Sequence, residues 1–378
     1  MTDYGKTVDE MFSQIKGEYF SVVLWDGRKF SYGRGARPVF TLYFHEESAA
    51  RKLLGQGALG FGEAFIEGSL DIRGDLDAYL RLRHQFKLIR PNVHMLYASW
   101  RAKRSIPKDT ASQIAYHYDM GNDFFKLFLD EDTMSYSAGL FNGENITLEN
   151  AQKRKLELMC SWLHLPEGST ILDLGSGWGG FSRYAAEKYG WHVTGLSLSK
   201  KQISHCKDMI KSKKLKGKVK YVYADMLSDV TDKKYDAIVM LESIEHVGEV
   251  RLQKFIVNLQ KHLKPNGYIY IQATGQYKKR RVDKFILKYV FPGGYLPPIQ
   301  EILDGALQAR LKVKHMQDDT FDYIATLSEW ISRLEKNKQT IEGSYGSSFY
   351  RLWYLWLHAA RISFETDFMS LFRILLRK

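Results

Sequence analysis

A doubly wound, mostly parallel α/β sheet preceded by a small α+β domain is the fold class this sequence predicts. Strand-like and helix-like stretches alternate from residue 170 to residue 273, the pattern of a mostly parallel sheet. The apolar run Ile171-Leu172 reaches Asp173 and then glycines two apart, Gly175, Gly177 and Gly179, as a tight strand-to-helix turn requires. The first 90 residues instead combine a hairpin signal with helical stretches, and 102–112 has the composition of a linker.

Taken in order, 1–16 reads as a short amphipathic helix. Residues 19–25 and 29–32 flank Asp26-Gly27 as a hairpin, and 40–44 is a further strand. Residues 46–90 read as mostly helical, broken by glycine-rich turns at 55–62 and 68–74. After the linker come two stretches dense in aromatic and polar residues, 117–125 and 134–141. A helix over 148–164 has Thr147 as its N-cap. Strands are expected at 170–174, 192–196, 218–223, 235–240 and 268–273, with helices at 179–189, 199–213 and 249–263. A basic, aromatic insertion over 278–294 precedes a strand near 308–316. The tail from Tyr350 reads as one or two amphipathic helices; such a basic face suits lipid, but packing as the outer helix of a core is the favoured reading.

The chain has 378 residues, 44% apolar and 14% aromatic, so it is globular and long enough for two domains. Its net charge of +12 points to an anionic partner such as a membrane surface or nucleic acid. Two cysteines, Cys160 and Cys206, imply no disulfide framework and suit a reducing compartment. The polar, mixed-charge start does not read as a secretory leader, and no apolar run is long enough to span a membrane. An enzyme of lipid would therefore work from the membrane surface. No metal-ligand set and no nucleic-acid module is assigned.

The loop from Asp173 to Gly180 is not the dinucleotide fingerprint, because its third glycine comes too early. It is similar to motif I of class I methyltransferases. Free N–H groups at the following helix start would suit a carboxylate, and Asp173 would complement an ammonium. Together with Gly62-Glu63-Ala64-Phe65-Ile66-Glu67-Gly68, Asp71-Ile72-Arg73-Gly74-Asp75, 117–125, 134–141, 242–248 (Glu-Ser-Ile-Glu-His-Val-Gly) and 291–297, the chain resembles the cyclopropane fatty acid synthase family, which includes the mycolic acid methyltransferases. The resemblance covers nearly the whole chain. It implies a seven-stranded class I methyltransferase sheet, an N-terminal lipid-contact or dimerisation-type domain over 1–101, and a catalytic domain over 113–378 with 275–300 as a lid.

The implied activity is transfer of the S-adenosylmethionine methyl to a cis double bond of a phospholipid acyl chain. The alkene's attack leaves a carbocation, which a dry site must shield, and a base must take a proton for the ring to close. In the family that base is usually bicarbonate. Carried over by position, Tyr136, Ser137, Asp173, Gly175, Gly177, Ser197, Leu198, Gln202, Asp225, Met226 and Glu242 would border the cofactor. Glu245 would orient bicarbonate as a carboxylate, with Tyr323, Gln272, Thr274 and the backbone of Ala138 beside it. Two positions depart from the family's pattern: Ala138 stands where relatives have Cys, and Gln272 where they have His. Gln272 donates and accepts but does not titrate. His246 is read as packing or capping.

The resemblance further implies unsaturated phospholipid in an anionic membrane as partner, no nucleic acid, a cytoplasmic enzyme peripheral to the inner membrane face, and room for a homodimer. The rivals are methylation without ring closure, a small-molecule N- or C-methyltransferase, and a non-catalytic lipid-binding protein of the same fold.

Overall fold

The computed structural model describes residues 3–105, 121–211, 215–228 and 233–378. Its chain forms two units. The first takes in Met1–His117, Asp283–Pro292 and Leu334–Ile362; the second takes in Tyr118–Val282, Gly293–Arg333 and Ser363–Lys378. This corrects the expectation of one continuous catalytic stretch over 113–378. The reason is burial: Phe285, Val290, Leu355 and Ile362 lie in the hydrophobic core of the first unit.

The first unit is built on a sheet of β1 (Phe20–Val23), β2 (Lys29–Tyr32), β3 (Phe40–Phe44) and β4 (Leu70–Gly74), in the order β2-β1-β3-β4. The β1–β2 hairpin forms where Asp26-Gly27 predicts it. The stretch over 68–74, expected as a glycine-rich turn, is largely β4, antiparallel to β3. Helix Val93–Ser105 extends into the expected linker, whose remainder, 106–112, lies outside the described residues, as does His117–Met120 of the aromatic stretch.

Two expectations about lipid contact change here. Part of the insertion expected as a lid is built into the first unit. Helix Lys284–Tyr289 starts where the Asp283 carboxylate accepts from the Phe285 N–H at 2.8 Å. Its Lys288 pairs with Glu63 at 2.7 Å, and the Tyr289 hydroxyl donates to the same carboxylate at 3.1 Å. The basic residues of the helix Ser347–Glu365 are also internal: Arg351 pairs with Asp71, and both His358 and Arg361 pair with Asp77. Core packing accounts for that helix.

The second unit holds β5 (Thr170–Leu174), β6 (His192–Ser197), β7 (Val219–Tyr223), β8 (Tyr235–Leu241), β9 (Leu263–Gly275), β10 (Lys312–Asp318) and β11 (Ser370–Arg377). They form one seven-stranded sheet in the order β10-β11-β9-β8-β5-β6-β7. Strands β5 to β9 are parallel, and β11 is antiparallel to both β9 and β10. This is the predicted class I methyltransferase sheet. Alternate residues of β8 enter different cores, Ile238 and Met240 one and Ala237 and Val239 the other, as expected of a strand covered on both faces. The strand order reverses between β8 and β5, and ligands of such sheets bind at that switch, beyond the carboxyl ends.

Strand β11 corrects the reading of the tail as helix to its end. Residues 370–376 are all buried. An apolar run covered on both sides shows no period by which strand and helix could be told apart.

Candidate active site at the carboxyl ends of the parallel strands

The loop after β5 turns through Gly175 and Gly177, both at positive φ, +87° and +52°. A Cβ at Gly175 would sit 2.6 Å from the Ser243 Cβ, so glycine is required there by the protein itself. At Gly177 a Cβ would meet no protein atom within 4 Å. Its left-handed backbone favours glycine, and the open space beside it leaves room for a ligand to approach the backbone. Asp173, expected to complement a ligand ammonium, is buried, and one oxygen accepts from the Ser182 hydroxyl at 2.6 Å. Burial pushes its carboxyl up to about 7, with Ser182 opposing. Through that oxygen its side chain holds the loop to the following helix.

The other cofactor candidates lie on the neighbouring strand ends. At the end of β6 the Ser197 hydroxyl donates to the Gln202 amide oxygen at 2.8 Å and accepts from the Ser199 N–H at 3.1 Å; Leu198 is exposed. After β7, Asp225 accepts from the Leu227 N–H at 2.9 Å, and Met226 packs against the core. Tyr136 belongs to an aromatic cluster. Its ring stacks on Trp330 at 5.2 Å and meets Phe125 edge-on at 5.5 Å; Phe125 in turn lies 4.8 Å from Trp178. Tyr323 joins the cluster, 4.4 Å from Phe364 and edge-on to Trp330. Trp178 and Trp330 were not singled out by sequence; the nearest signal was the aromatic density of the two stretches before residue 142.

The centre of the site is a pair of carboxyl groups. Glu242, at the end of β8, has a φ of +51°, a strained conformation for a side-chain-bearing residue. Its carboxylate accepts from the Ala138 N–H at 2.8 Å and the Gln272 amide at 2.7 Å, and the Tyr323 hydroxyl acts on it electrostatically. These are three of the groups expected around bicarbonate. Glu242, expected beside the cofactor, is what they converge on. Glu245 accepts from the Thr274 N–H at 2.6 Å through one oxygen; its other oxygen is buried and has no hydrogen-bond partner among the described residues. Loop 291–297 reaches this residue through a Tyr295 N–H that donates to the Glu245 carbonyl at 2.9 Å. His246 is exposed.

Burial raises both carboxyls, and their environments divide them. Glu242 is raised by burial, opposed by Tyr323, Gln272, Ala138 and Lys155. Glu245 is pushed up to about 8, by burial and then by the charge of Glu242. The donors around Glu242 favour its ionised form, while burial and the neighbouring charge push Glu245 toward its protonated form. Glu245, expected to act as the carboxylate, is thus the member of the pair whose burial disfavours ionisation. Both residues keep part of their surface open, so the pair is within reach of a ligand.

Two buried cations stand behind it. Arg373, on β11, donates to the Gln272 amide oxygen and the Gly139 carbonyl, each at 3.0 Å, and pairs with Asp319. With its oxygen so held, Gln272 must turn its NH2 toward Glu242 and the Ala138 carbonyl, 3.1 Å away. Lys155 donates to the Ser137 hydroxyl at 2.9 Å, and burial pushes its amine down to about 8. Neither residue was picked out by sequence. Arg373 is the single charge within a run of apolar positions, which was the available signal.

A family model described as mycolic acid cyclopropane synthetase matches residues 106–374, and one for a domain of unknown function matches residues 7–86. A probable fatty acid methyltransferase of Pseudomonas putida is 31% identical over 363 residues, spanning 93% of this chain and 90% of its own. The cyclopropane-fatty-acyl-phospholipid synthase of Escherichia coli is 28% identical over 339 residues, spanning 86% and 84%. Among solved structures, a mycolic acid cyclopropane synthase complexed with SAH and CTAB is similar at a TM-score of 0.66 and 28% identity, covering 72% of this chain and 99% of its own.

Proposed function

The chain belongs to the mycolic acid cyclopropane synthetase family of S-adenosylmethionine-dependent methyltransferases, and from that premise we propose that it methylates the cis double bond of an unsaturated acyl chain in membrane phospholipid, closing a cyclopropane. The observation that carries this reading is the pairing of an open glycine turn with an aromatic cluster and two largely buried carboxyls at the same strand ends. Bound at Gly177 and the β6 and β7 ends, S-adenosylmethionine supplies an electrophilic methyl group. The part-exposed rings of Tyr136 and Tyr323, backed by the buried Trp330, suit the positive charge that methylation leaves on the acyl chain. A base then decides between ring and branch.

Lipid mass spectrometry of a host expressing the protein tests the reading. Acyl chains one CH2 heavier and lacking the double bond support it; a methyl-branched or methylene chain would favour the rival without ring closure. Lipids unchanged in a host that contains unsaturated phospholipid would overturn it. Gly177→Val should abolish cofactor binding in calorimetry while leaving the fold intact. The new Cβ meets no protein atom, and its left-handed backbone costs only about 1–2 kcal/mol.

For the membrane, helix Val93–Ser105 gives support. Val93, Leu96, Tyr97 and Trp100 are exposed at helical spacing, beside the exposed Arg101, Lys103 and Arg104. A basic and aromatic face of this kind suits an anionic bilayer. Leu96→Ser with Trp100→Ser is expected to lower co-sedimentation with anionic vesicles about tenfold, from the apolar area withdrawn, without changing cofactor affinity. Unchanged vesicle binding would remove this helix from the membrane contact.

A further inference from the structure

We propose that Glu242 is the enzyme's built-in base: its side-chain carboxylate occupies the anion cradle of the site and takes the proton whose loss closes the ring, with no external anion. The inference rests on the function proposed above and adds to it the identity of the base.

The donors settle where negative charge can sit. The Ala138 N–H, the Tyr323 hydroxyl and the Gln272 NH2 converge on the Glu242 carboxylate. The Ala138 N–H has one hydrogen, which is used, and the Tyr323 hydroxyl acts on the same carboxylate. Gln272 has two, one directed at Glu242 and the other at the Ala138 carbonyl. Arg373 prevents the amide from turning, because it holds the oxygen. Neither the Ala138 N–H nor the Gln272 amide has a hydrogen left over for a free anion. An added anion would also stand against Glu242 and Glu245 in a site with little water, where like charges repel strongly. The Thr274 N–H, the remaining donor expected for an anion, is taken by Glu245.

The chemistry balances without a further reactant. Once the methyl is attached, the positive charge sits on the adjacent acyl carbon. The Glu242 carboxylate removes a proton from the new methyl group. The electrons of that C–H bond form the second carbon–carbon bond, which neutralises the cation and completes the ring. Glu242 is left as the acid and returns its proton to solvent when product leaves. Glu245, whose carboxyl burial pushes toward the protonated form, competes little for the proton. Lys155 and Arg373 add positive charge that favours the ionised state of Glu242 beforehand. The departures at Ala138 and Gln272 then have a common explanation: with Glu242 supplied by the chain, only neutral donors are needed to hold it.

The experiment compares full-length wild type and Glu242→Ala on unsaturated phospholipid vesicles, in carbon-dioxide-free buffer and with added bicarbonate or formate. Wild-type ring formation should change by less than about twofold with either anion. Glu242→Ala should lose at least about a hundredfold, the scale of a positioned base, and regain about tenfold or more with formate or bicarbonate seated on the freed donors. Formate should raise the melting temperature of Glu242→Ala and not of wild type, a readout that needs no lipid. Wild-type turnover that collapses without bicarbonate and returns with it would overturn the inference, as would undiminished ring formation by Glu242→Ala in anion-free buffer. Should Glu242→Ala fail to fold, Glu242→Gln, which keeps the shape, must show the same loss with cofactor binding retained; ring formation near the wild-type rate in that variant overturns the inference. A wild type that methylates no unsaturated lipid defeats the proposed function instead, while the melting experiment still decides whether the cradle holds an anion.

Discussion

Arg373→Leu is expected to destabilise the second unit by about 3–5 kcal/mol, the usual result of removing one partner from a buried ion pair. Arg373 has no exposed surface. It lies in β11 between β9 and β10, and its guanidinium reaches Asp319, Gln272 and the Gly139 carbonyl. Leucine fills much of the volume but leaves the Asp319 carboxylate buried without its cation. Asp322, 3.8 Å from the same guanidinium, loses a favourable charge as well, although its other oxygen still accepts from the Phe141 and Asn142 N–H groups at 2.8 Å. Burial already raises the Asp319 carboxyl, opposed by Arg373. Without Arg373 it rises further, so the defect should be greatest at neutral pH and shrink as acid protonates the carboxyl. Urea unfolding at two pH values checks both size and sign. Arg373→Lys keeps a charge but not the fork; it should recover part of the stability and little of the turnover, because the Gln272 amide is then free to turn. Equal stability of wild type and Arg373→Leu at neutral pH would show that the network contributes nothing net.

How much of this was legible beforehand depends on what each residue's signal was. The parallel sheet was legible because strands and helices alternate with clear periods from β5 to β9, and the glycine turn because three glycines follow an apolar run. Strand β11 was not, since it is covered on both faces and its composition fits a buried helix equally well. The insertion was misread for a related reason: charges such as Lys288 look like a solvated or lipid-facing surface until Glu63, more than two hundred residues away in sequence, is seen to pair with it. In the site, sequence located Glu242, Glu245, Gln272 and Tyr323 but could not say which carboxyl holds the proton. That depends on which donors each one faces: the Ala138 N–H, the Gln272 amide and the Tyr323 hydroxyl for Glu242, and backbone N–H groups alone for the side chain of Glu245. Asp173 shows the same limit. Its position before the glycines was plain, yet whether it faces a ligand or the Ser182 hydroxyl is decided only by the path of the following helix.

The division of roles between the two carboxyls has a consequence for stability against pH. In the unfolded chain Glu245 titrates near 4.5, and in the folded protein its carboxyl is pushed up to about 8. Between these values the native state binds a proton that the unfolded state has released. Stability from this group is therefore complete below pH 4.5 and falls as pH rises through about 8, by roughly 1.4 kcal/mol per pH unit at most. Asp173, pushed up to about 7, adds a fall of the same sign ending lower. Glu245→Gln removes the first of these titrations while keeping a neutral side chain that still accepts from the Thr274 N–H. Measured relative to wild type by urea unfolding, the variant should gain steadily from pH 5 to pH 8, by a few kcal/mol in all. Its turnover should fall by about tenfold, less than the loss expected for Glu242→Gln, because the anion of the pair remains in place. A flat difference between variant and wild type across that range would mean that Glu245 is ionised in the native protein. Turnover falling more steeply in Glu245→Gln than in Glu242→Gln would point the same way, and the proton would then belong to Glu242.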